Sequence, residues 1–142
     1  MSYLRSHAAL TRELNAELVA EHGLTLNDYE VLLHLSRAEE RAMRRVDLAQ
    51  QVLLTASGIT RLLDGLERAG WVQKRSCESD ARVTYAQLTD AGYEKLHEAA
   101  PDHVEGVRRV FAARFSEGEL EVLASLLGRL GAGDDGSACR PG

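Results

Sequence analysis

Two short segments in the middle of the chain carry side chains suited to contacting a polyanion. In the first, residues 55–68, apolar side chains recur at helical spacing, which leaves Ser57 and Arg61 on an outward ridge with Thr60 beside it. Arginine can bind guanine through two parallel hydrogen bonds, and short hydroxyl side chains reach base edges or phosphates. Thr55 is placed to cap this helix, whose small N-terminal residues leave room for a duplex. An ordinary solvated helix face is the alternative interpretation.

That alternative interpretation has a specific form. Asp64 and Arg68 are four residues apart on the same ridge, a spacing at which opposite charges pair on a helix surface. Such a pair would give the ridge a structural explanation without any DNA.

The second segment is a polar turn between two β-rich runs. Asp80 and Arg82 are two residues apart, so on an extended strand they lie on one side and the carboxylate can orient the guanidinium. An oriented arginine at the end of a projecting hairpin suits the negative potential of a minor groove. Arg75, in the run before the turn, is a further candidate contact. A surface ion pair of little energetic value is the alternative.

The distribution of charge favours the middle of the chain as the binding region. The whole sequence has a net charge of −5, which argues against nucleic acid as a partner. Residues 44–83, however, hold seven basic and five acidic side chains, a net charge of +2, and the rest of the chain carries −7.

Length and composition indicate one globular domain without a metal or cofactor. The chain has 142 residues, 44% of them hydrophobic, and no segment approaches the roughly 20 apolar residues of a membrane-spanning helix. The N-terminus lacks the apolar stretch of a secretory signal. Cys77 and Cys139 fit a reducing compartment, and no Cys/His spacing matches a zinc site. We therefore expect a cytoplasmic protein.

Periodicity and capping residues predict a mainly α-helical chain of order α-α-α-α-β-β-α-α. The third predicted helix is short, around residues 46–52, with Val46, Leu48, Ala49 and Val52 buried. Before it, one helix ends at Gly23 and a second is capped by Thr25 or Asn27. After it come a helix from Thr55 to Gly70 and a hairpin over 71–88. The last two predicted elements are a helix capped by Thr89 and kinked by Pro101, and a helix from a Ser116–Glu119 capping box to Gly131. Residues 131–142 are predicted to be disordered.

Three helices followed at once by a β-hairpin are the plan of a winged helix-turn-helix, in which the helix before the hairpin enters the major groove. The predicted winged core covers about residues 25–89. Outside it, apolar side chains recur in numbers that one small lobe cannot cover, which predicts a dimer interface. The candidate interface residues are Leu4, Phe111, Phe115, Leu120, Leu123, Leu127 and Leu130.

Six stretches, in this order and spacing, resemble the MarR family of bacterial transcription regulators. The resemblance extends from the first helix to Leu130. The stretches are Leu24–Leu33, Asp47–Ala49, Ser57–Leu62, Leu66–Val72, Ser79–Arg82 and Leu88–Gly92.

The resemblance implies a single domain over residues 1–130 that dimerises through helices at about 2–22 and 90–130. It also implies that the dimer binds double-stranded DNA at an inverted repeat. Thr55, Ser57, Thr60 and Arg61 fall on groove and phosphate contacts, and Asp80 and Arg82 on the paired acid and arginine of the wing.

The family further implies repression relieved by a small aromatic or phenolic ligand. The candidate lining residues for such a ligand are His7, Arg12, Tyr29 and His34.

Two other classes of function remain as alternatives. An enzyme is disfavoured because no nucleophile elbow, phosphate loop or metalloprotease motif occurs in the sequence. A winged-helix module that binds only proteins would suit the acidic total charge. Arg61 on the predicted reading helix and Arg82 at the end of the hairpin favour DNA over that second alternative.

Overall fold

The computed structural model describes residues 2–131 of the chain. In this range it contains six helices and three strands, joined between α2 and β1 by a 3₁₀ turn at Glu39–Arg41. The elements are α1 (Ser2–His22), α2 (Leu26–Arg37), β1 (Ala42–Arg44), α3 (Arg45–Gln51), α4 (Ala56–Arg68), β2 (Val72–Ser76), β3 (Thr84–Leu88), α5 (Asp90–Ala112) and α6 (Glu117–Gly131). The tail predicted to be disordered, 131–142, lies outside the described residues except for Gly131, which ends α6.

The chain divides into two compact units at Gly106, inside α5. The predicted single domain over residues 1–130 spans both units. Every helix among the described residues is too short or too polar to cross a lipid bilayer.

The three strands form one antiparallel sheet in the order β1-β3-β2. The hairpin of β2 and β3 was predicted, and its register runs from Val72 opposite Leu88 to Ser76 opposite Thr84. Strand β1 was not predicted, so the order of elements is α-α-β-α-α-β-β-α-α. It has only three residues and becomes a strand by pairing with β3, more than 40 residues away, where Ala42 lies opposite Gln87.

The core of the first unit lies between α2, α3, α4 and the sheet. Leu32, Leu35, Leu48 and Ile59 are completely or almost completely buried there. The prediction that Val46 is buried was wrong, since its side chain is 55% exposed. On a helix Val46 points about 160° away from Leu48, because successive residues turn by 100°, so the two cannot share the buried face.

Most of the predicted helix starts are confirmed by hydrogen bonds at the caps. The hydroxyl oxygens of Thr25, Thr55 and Thr89 each accept a hydrogen bond from the backbone N–H three residues later, at 3.0 to 3.1 Å. Ser116 and Glu119 form the predicted capping box. Helix α5 continues through Pro101. The caps of α4 and α5 fix both ends of the segment that holds the candidate DNA contacts.

One close backbone approach holds the hairpin against α5. The Thr89 hydroxyl donates a hydrogen bond to the Gly70 carbonyl at 2.7 Å, and the backbone N–H of Thr89 donates to the Trp71 carbonyl at 3.1 Å. Gly92 is buried in the first turn of α5, where a Cβ atom would lie only 2.1 Å from the Trp71 carbonyl oxygen. Glycine is therefore required at position 92 for the hairpin to reach its position.

Candidate nucleic-acid interface

The N-terminal end of α4 presents two exposed hydroxyl groups and an arginine to solvent. The Thr55 hydroxyl oxygen lies 3.2 Å from the Ser57 hydroxyl oxygen, and both side chains are exposed. Arg61 follows one turn later, is exposed, and forms no ion pair within residues 2–131. The positive end of the helix dipole adds to this charge, so the end of α4 is suited to an anionic partner.

Thr60, the fourth candidate on α4, differs from these residues. Its hydroxyl donates to the Ala56 carbonyl at 2.9 Å, and the side chain is half-buried beside a narrow cleft between α4 and the sheet. With its proton engaged in the helix, Thr60 can only accept a hydrogen bond from a ligand.

The acidic side chains of α4 are neutralised by the hairpin. Lys74 of β2 places its ammonium group 3.4 Å from Asp64 and 3.2 Å from Glu67. The hydrogen bond to Glu67, followed by that to Asp64, raises the pKa of Lys74. The Asp64–Arg68 pair considered as an alternative is therefore wrong, because Asp64 faces β2. Arg68 is exposed and forms no ion pair in the described part of the chain.

The loop between β2 and β3 holds Asp80 and Arg82 together, as predicted, but in a different geometry. The chain turns here, with the backbone N–H of Val83 donating to the Asp80 carbonyl at 3.0 Å. The Asp80 carboxylate accepts from the backbone N–H of Arg82 at 3.0 Å and lies 3.5 Å from its Nε. The expected extended strand was wrong, because the Asp80 side chain stabilises a turn in the way typical of aspartate. The Arg82 side chain is 94% exposed at the tip.

Arg75 is engaged with an acid of the chain. Its guanidinium donates to the Glu40 carboxylate at 2.6 Å, and this contact raises the pKa of Arg75. Glu40 lies in the 3₁₀ turn before β1, with a positive φ of 52°. Sequence reasoning missed the pair because its members are separated by 35 residues.

Cys77 lies next to this pair at the start of the wing loop. The hydrogen bonds of Ser79, whose hydroxyl oxygen is 3.1 Å from the sulfur, lower the pKa of the thiol. The Cys77 side chain is half-buried, and its lowered pKa is due mainly to the hydrogen bonds of Ser79.

The four candidate ligand residues have different surroundings. His7 and Arg12 are exposed on α1, and His34 is half-buried on α2. Tyr29 is buried, which raises the pKa of its hydroxyl, and its ring centroid lies 4.5 Å from that of His103 on α5. His103, whose pKa is lowered by burial, was not predicted as a candidate.

The predicted dimer residues of the second unit lie on a largely exposed apolar face. Phe111 and Phe115 contact each other with ring centroids 6.3 Å apart. On α6, Leu120 and Leu123 are half-buried, whereas Leu127 and Leu130 are exposed. Val122 and Leu126 are also exposed and were not predicted. On α1, the candidate Leu4 is exposed.

The sequence and fold match those of known transcription regulators. Residues 22–83 match the sequence profile of the MarR family. Over 115 residues the chain is 30% identical to the HTH-type transcriptional regulator PecS of Dickeya dadantii (strain 3937), an overlap of 80% of this chain and 69% of that protein. The chain belongs to the MarR family. It is thus related to transcriptional regulators rather than to enzymes.

Solved MarR family structures share the whole fold. The crystal structure of Sco3205, a MarR family transcriptional regulator from Streptomyces coelicolor, in complex with DNA has a TM-score of 0.87 and 31% identity, over 96% of this chain and 85% of that one. AbsC from the same organism has a TM-score of 0.84 and 34% identity, over 96% and 91%. The predicted mainly α-helical winged helix-turn-helix is confirmed.

Proposed function

We propose that this MarR family protein is a homodimeric repressor that binds an inverted repeat in double-stranded DNA. The observation that carries the proposal is the pair of projecting arginines, Arg61 on α4 and Arg82 at the tip of the wing. Arg61 has no acidic partner within residues 2–131, and Arg82 is fully projected while Asp80 holds its backbone. Sco3205 was solved with DNA, which supports the same partner for this chain.

The local geometry supports a role for each proposed DNA contact. Helix α4 enters the major groove with its N-terminal end, where Arg61 pairs with a guanine and Ser57 contacts a base edge or phosphate. Thr55 contributes a phosphate contact beside the helix N-terminus. Arg82 enters the adjacent minor groove, where the negative potential is strongest when the groove is narrow.

Two further candidates have secondary roles in this arrangement. Thr60 accepts a hydrogen bond, since its own proton is held by Ala56. Arg75 contacts a phosphate only after it releases Glu40, because its guanidinium donates to that carboxylate in the free protein.

Dimerisation supplies the two-fold symmetry. The exposed apolar face of α6, together with Phe111 and Phe115, is covered by a second copy, and Leu4 on α1 is a further contact in the dimer. Two recognition helices related by a two-fold axis read half-sites about 34 Å apart, one turn of the duplex. The operator is therefore an inverted repeat, and the protein acts where the chromosome lies, in the cytoplasm.

The proposed switch is a small aromatic or phenolic ligand that weakens DNA binding. Tyr29 and His103 supply a pair of aromatic rings in tilted contact, and His7, Arg12 and His34 supply donors for an acidic or phenolic group. A ligand acts in this way only if it prefers a dimer whose recognition helices do not fit the operator.

Binding to fragments of the protein's own promoter region tests the DNA contacts. We expect a footprint with two-fold symmetry and an affinity that falls as salt rises. Arg82→Ala should weaken binding to all duplexes and reduce the salt slope by about 1. If Arg82→Ala binds the symmetric site with unaltered affinity, the proposed contact between the wing and DNA is wrong. Absence of any salt-dependent DNA binding would favour the protein-binding module instead.

Calorimetry with a panel of aromatic acids and phenols tests the switch separately. We expect tighter binding to the free protein than to the operator complex, with a coupling of about 1 to 3 kcal/mol. Equal affinity in the two states, or no binding at all, would leave a DNA-binding protein without this switch.

A further inference from the structure

The end of α1 and one face of α5, two elements that hold none of the proposed DNA contacts, bring a histidine and three carboxylates together. Donor atoms of Glu21, His22 and Asp102 all lie within 4.8 Å of one another. Glu98 also faces the histidine, with its Oε1 3.7 Å from His22 Nδ1. Glu98 and Asp102 are four residues apart, so they project from the same side of α5.

His22 is the buried centre of this group. Its side chain is only 7% exposed, and Nε2 lies 2.9 Å from the Asp102 carboxylate. Nδ1 is fully buried and has no hydrogen-bond partner, since the Glu98 oxygen is too distant. A buried polar nitrogen without a partner is uncommon and costs free energy, so the site calls for an explanation beyond packing.

The charges around His22 are unbalanced. Three carboxylates lie near a single imidazole, and the one further cation in contact among residues 2–131 is Lys95, whose ammonium lies 3.5 Å from Glu98. Glu21 forms no ion pair in that part of the chain, and the ion pair of Asp102 there is with His22. The negative charges of Glu21 and Asp102 are therefore balanced by no lysine or arginine among residues 2–131.

We propose that this cluster is a binding site for a divalent transition-metal ion of the zinc type. His22 Nε2 and the carboxylates of Glu21 and Asp102 are the protein ligands, and water completes the shell. Zinc binds imidazole nitrogen and carboxylate oxygen at about 2.0 to 2.2 Å, so ligand atoms sharing one ion are separated by roughly 3 to 3.5 Å. The observed separations, 2.9 Å between His22 and Asp102 and at most 4.8 Å across the group, need only side-chain adjustment.

Glu98 completes the site as the outer partner of the histidine. A metal-bound imidazole normally donates its other N–H to a carboxylate, which fixes the ring and increases its basicity. With Nε2 on the metal, His22 Nδ1 carries the proton and faces Glu98. A side-chain adjustment of Glu98 that closes the 3.7 Å gap would then give this nitrogen a hydrogen-bond partner, and the ion would offset the excess of carboxylates.

Sequence spacing does not show this site. Its ligands are two consecutive residues of α1 and one residue of α5 that follows His22 by 80 positions. The expectation of no metal rested on the lack of a local Cys/His motif, a rule that detects only sites built from neighbouring residues. The ion would link the end of α1 to α5 within the first unit and stabilise that contact by mass action.

Zinc titration of the chelator-treated full chain tests the proposal, with a chromophoric chelator as competitor. We expect one zinc ion per chain for the wild type, with loss of this binding in His22→Gln and Asp102→Asn. His97→Gln is the matched control, because it removes an exposed histidine from α5 and should keep the zinc. Cys77→Ser should also keep it. Glu98→Gln should weaken binding by about 10- to 100-fold, as expected for an outer partner.

Thermal melting keeps the test valid if a variant of the buried His22 fails to fold. Glu21 is exposed, so Glu21→Gln should fold normally and lose the rise in Tm that zinc gives the wild type. No stoichiometric binding to the wild type would overturn the proposal. Zinc binding that persists in both His22→Gln and Glu21→Gln, or that disappears in Cys77→Ser, would also overturn it.

Discussion

The winged core and helix α6 differ in where their apolar side chains lie. In α2, α3, α4 and the sheet, most of the large apolar residues converge on one buried cluster, and polar or charged side chains cover most of the outside. In α6 no side chain described is buried, and Val122, Leu126, Leu127 and Leu130 are exposed. Exposed apolar faces of this kind mark interaction surfaces.

The difference indicates which region depends on a partner. The winged core buries most of its apolar side chains without a partner, and its exposed side chains Arg61 and Arg82 are available for an external ligand. Helix α6 has an amphipathic sequence, and the large side chains of its apolar side are mostly exposed. We therefore expect the winged core to keep its fold in any assembly state and α6 to require a second copy.

The largest expected effect comes from charging the exposed face of α6. Leu126→Asp together with Leu130→Asp should convert the dimer to monomer or abolish stable folding, because each places a carboxylate in the proposed interface. Light scattering coupled to size exclusion measures the mass. Leu53→Asp is the matched control, since Leu53 is 92% exposed in the turn before α4 and should leave the dimer intact. A wild type that is monomeric at micromolar concentration would contradict the proposed dimer.

Two glycine substitutions, one in the first turn of α5 and one on α4, test how tightly the hairpin of the winged core is packed. Gly92→Ala should lower the free energy of unfolding by about 1 to 3 kcal/mol or more, because its Cβ would overlap the Trp71 carbonyl. Gly65→Ala on α4 meets no atom within 4 Å and should raise it by up to about 1 kcal/mol through helix propensity. Denaturant unfolding of both variants gives the comparison. Equal effects would mean that the close approach at Gly92 is not retained in solution.

Local signals predicted the features that depend on nearby residues. The caps at Thr55 and Thr89 are set by hydroxyl groups three positions from their partners, and the apolar stripe of α4 follows helical spacing. The pair of Asp80 and Arg82 was predicted from the two-residue spacing, although on an extended strand rather than within the turn that the structure shows. Capping and periodicity are encoded within one or two turns of chain, which explains why they could be inferred.

Features that need distant partners could not be predicted in this way. Strand β1 exists because β3 supplies its hydrogen bonds, and Arg75 meets Glu40 through the sheet. Asp64 pairs with Lys74 and not with Arg68, so Arg68 keeps an unpaired positive charge on the α4 ridge within the described residues. No spacing rule in the sequence indicates these contacts, since they arise only when the hairpin packs on α4 and β1.

Breaking the ion pair between Arg75 and Glu40 in the winged core should have a smaller effect, an increase in DNA affinity. Glu40→Gln should increase DNA affinity and steepen the salt dependence, because it frees the Arg75 guanidinium for phosphate. Glu39→Gln removes the same charge from the preceding residue and should increase affinity less. Fluorescence anisotropy with one duplex at several salt concentrations measures both. Identical gains would show that net charge alone, and not Arg75, determines the change.

The central claim, that the N-terminal end of α4 reads DNA, is tested most directly by comparing two arginines of that helix. Arg61 and Arg68 are both exposed, form no ion pair within residues 2–131, and lie on one ridge of α4, with Arg61 two turns nearer the N-terminal end and Arg68 as the last residue of the helix. On the footprinted operator, Arg61→Ala should cost about 1 to 3 kcal/mol and relax the preference for one base pair. Arg68→Ala should cost less and leave base preference unchanged. Equal losses from the two variants, with base preference retained in both, would contradict the assignment of α4 as the reading helix.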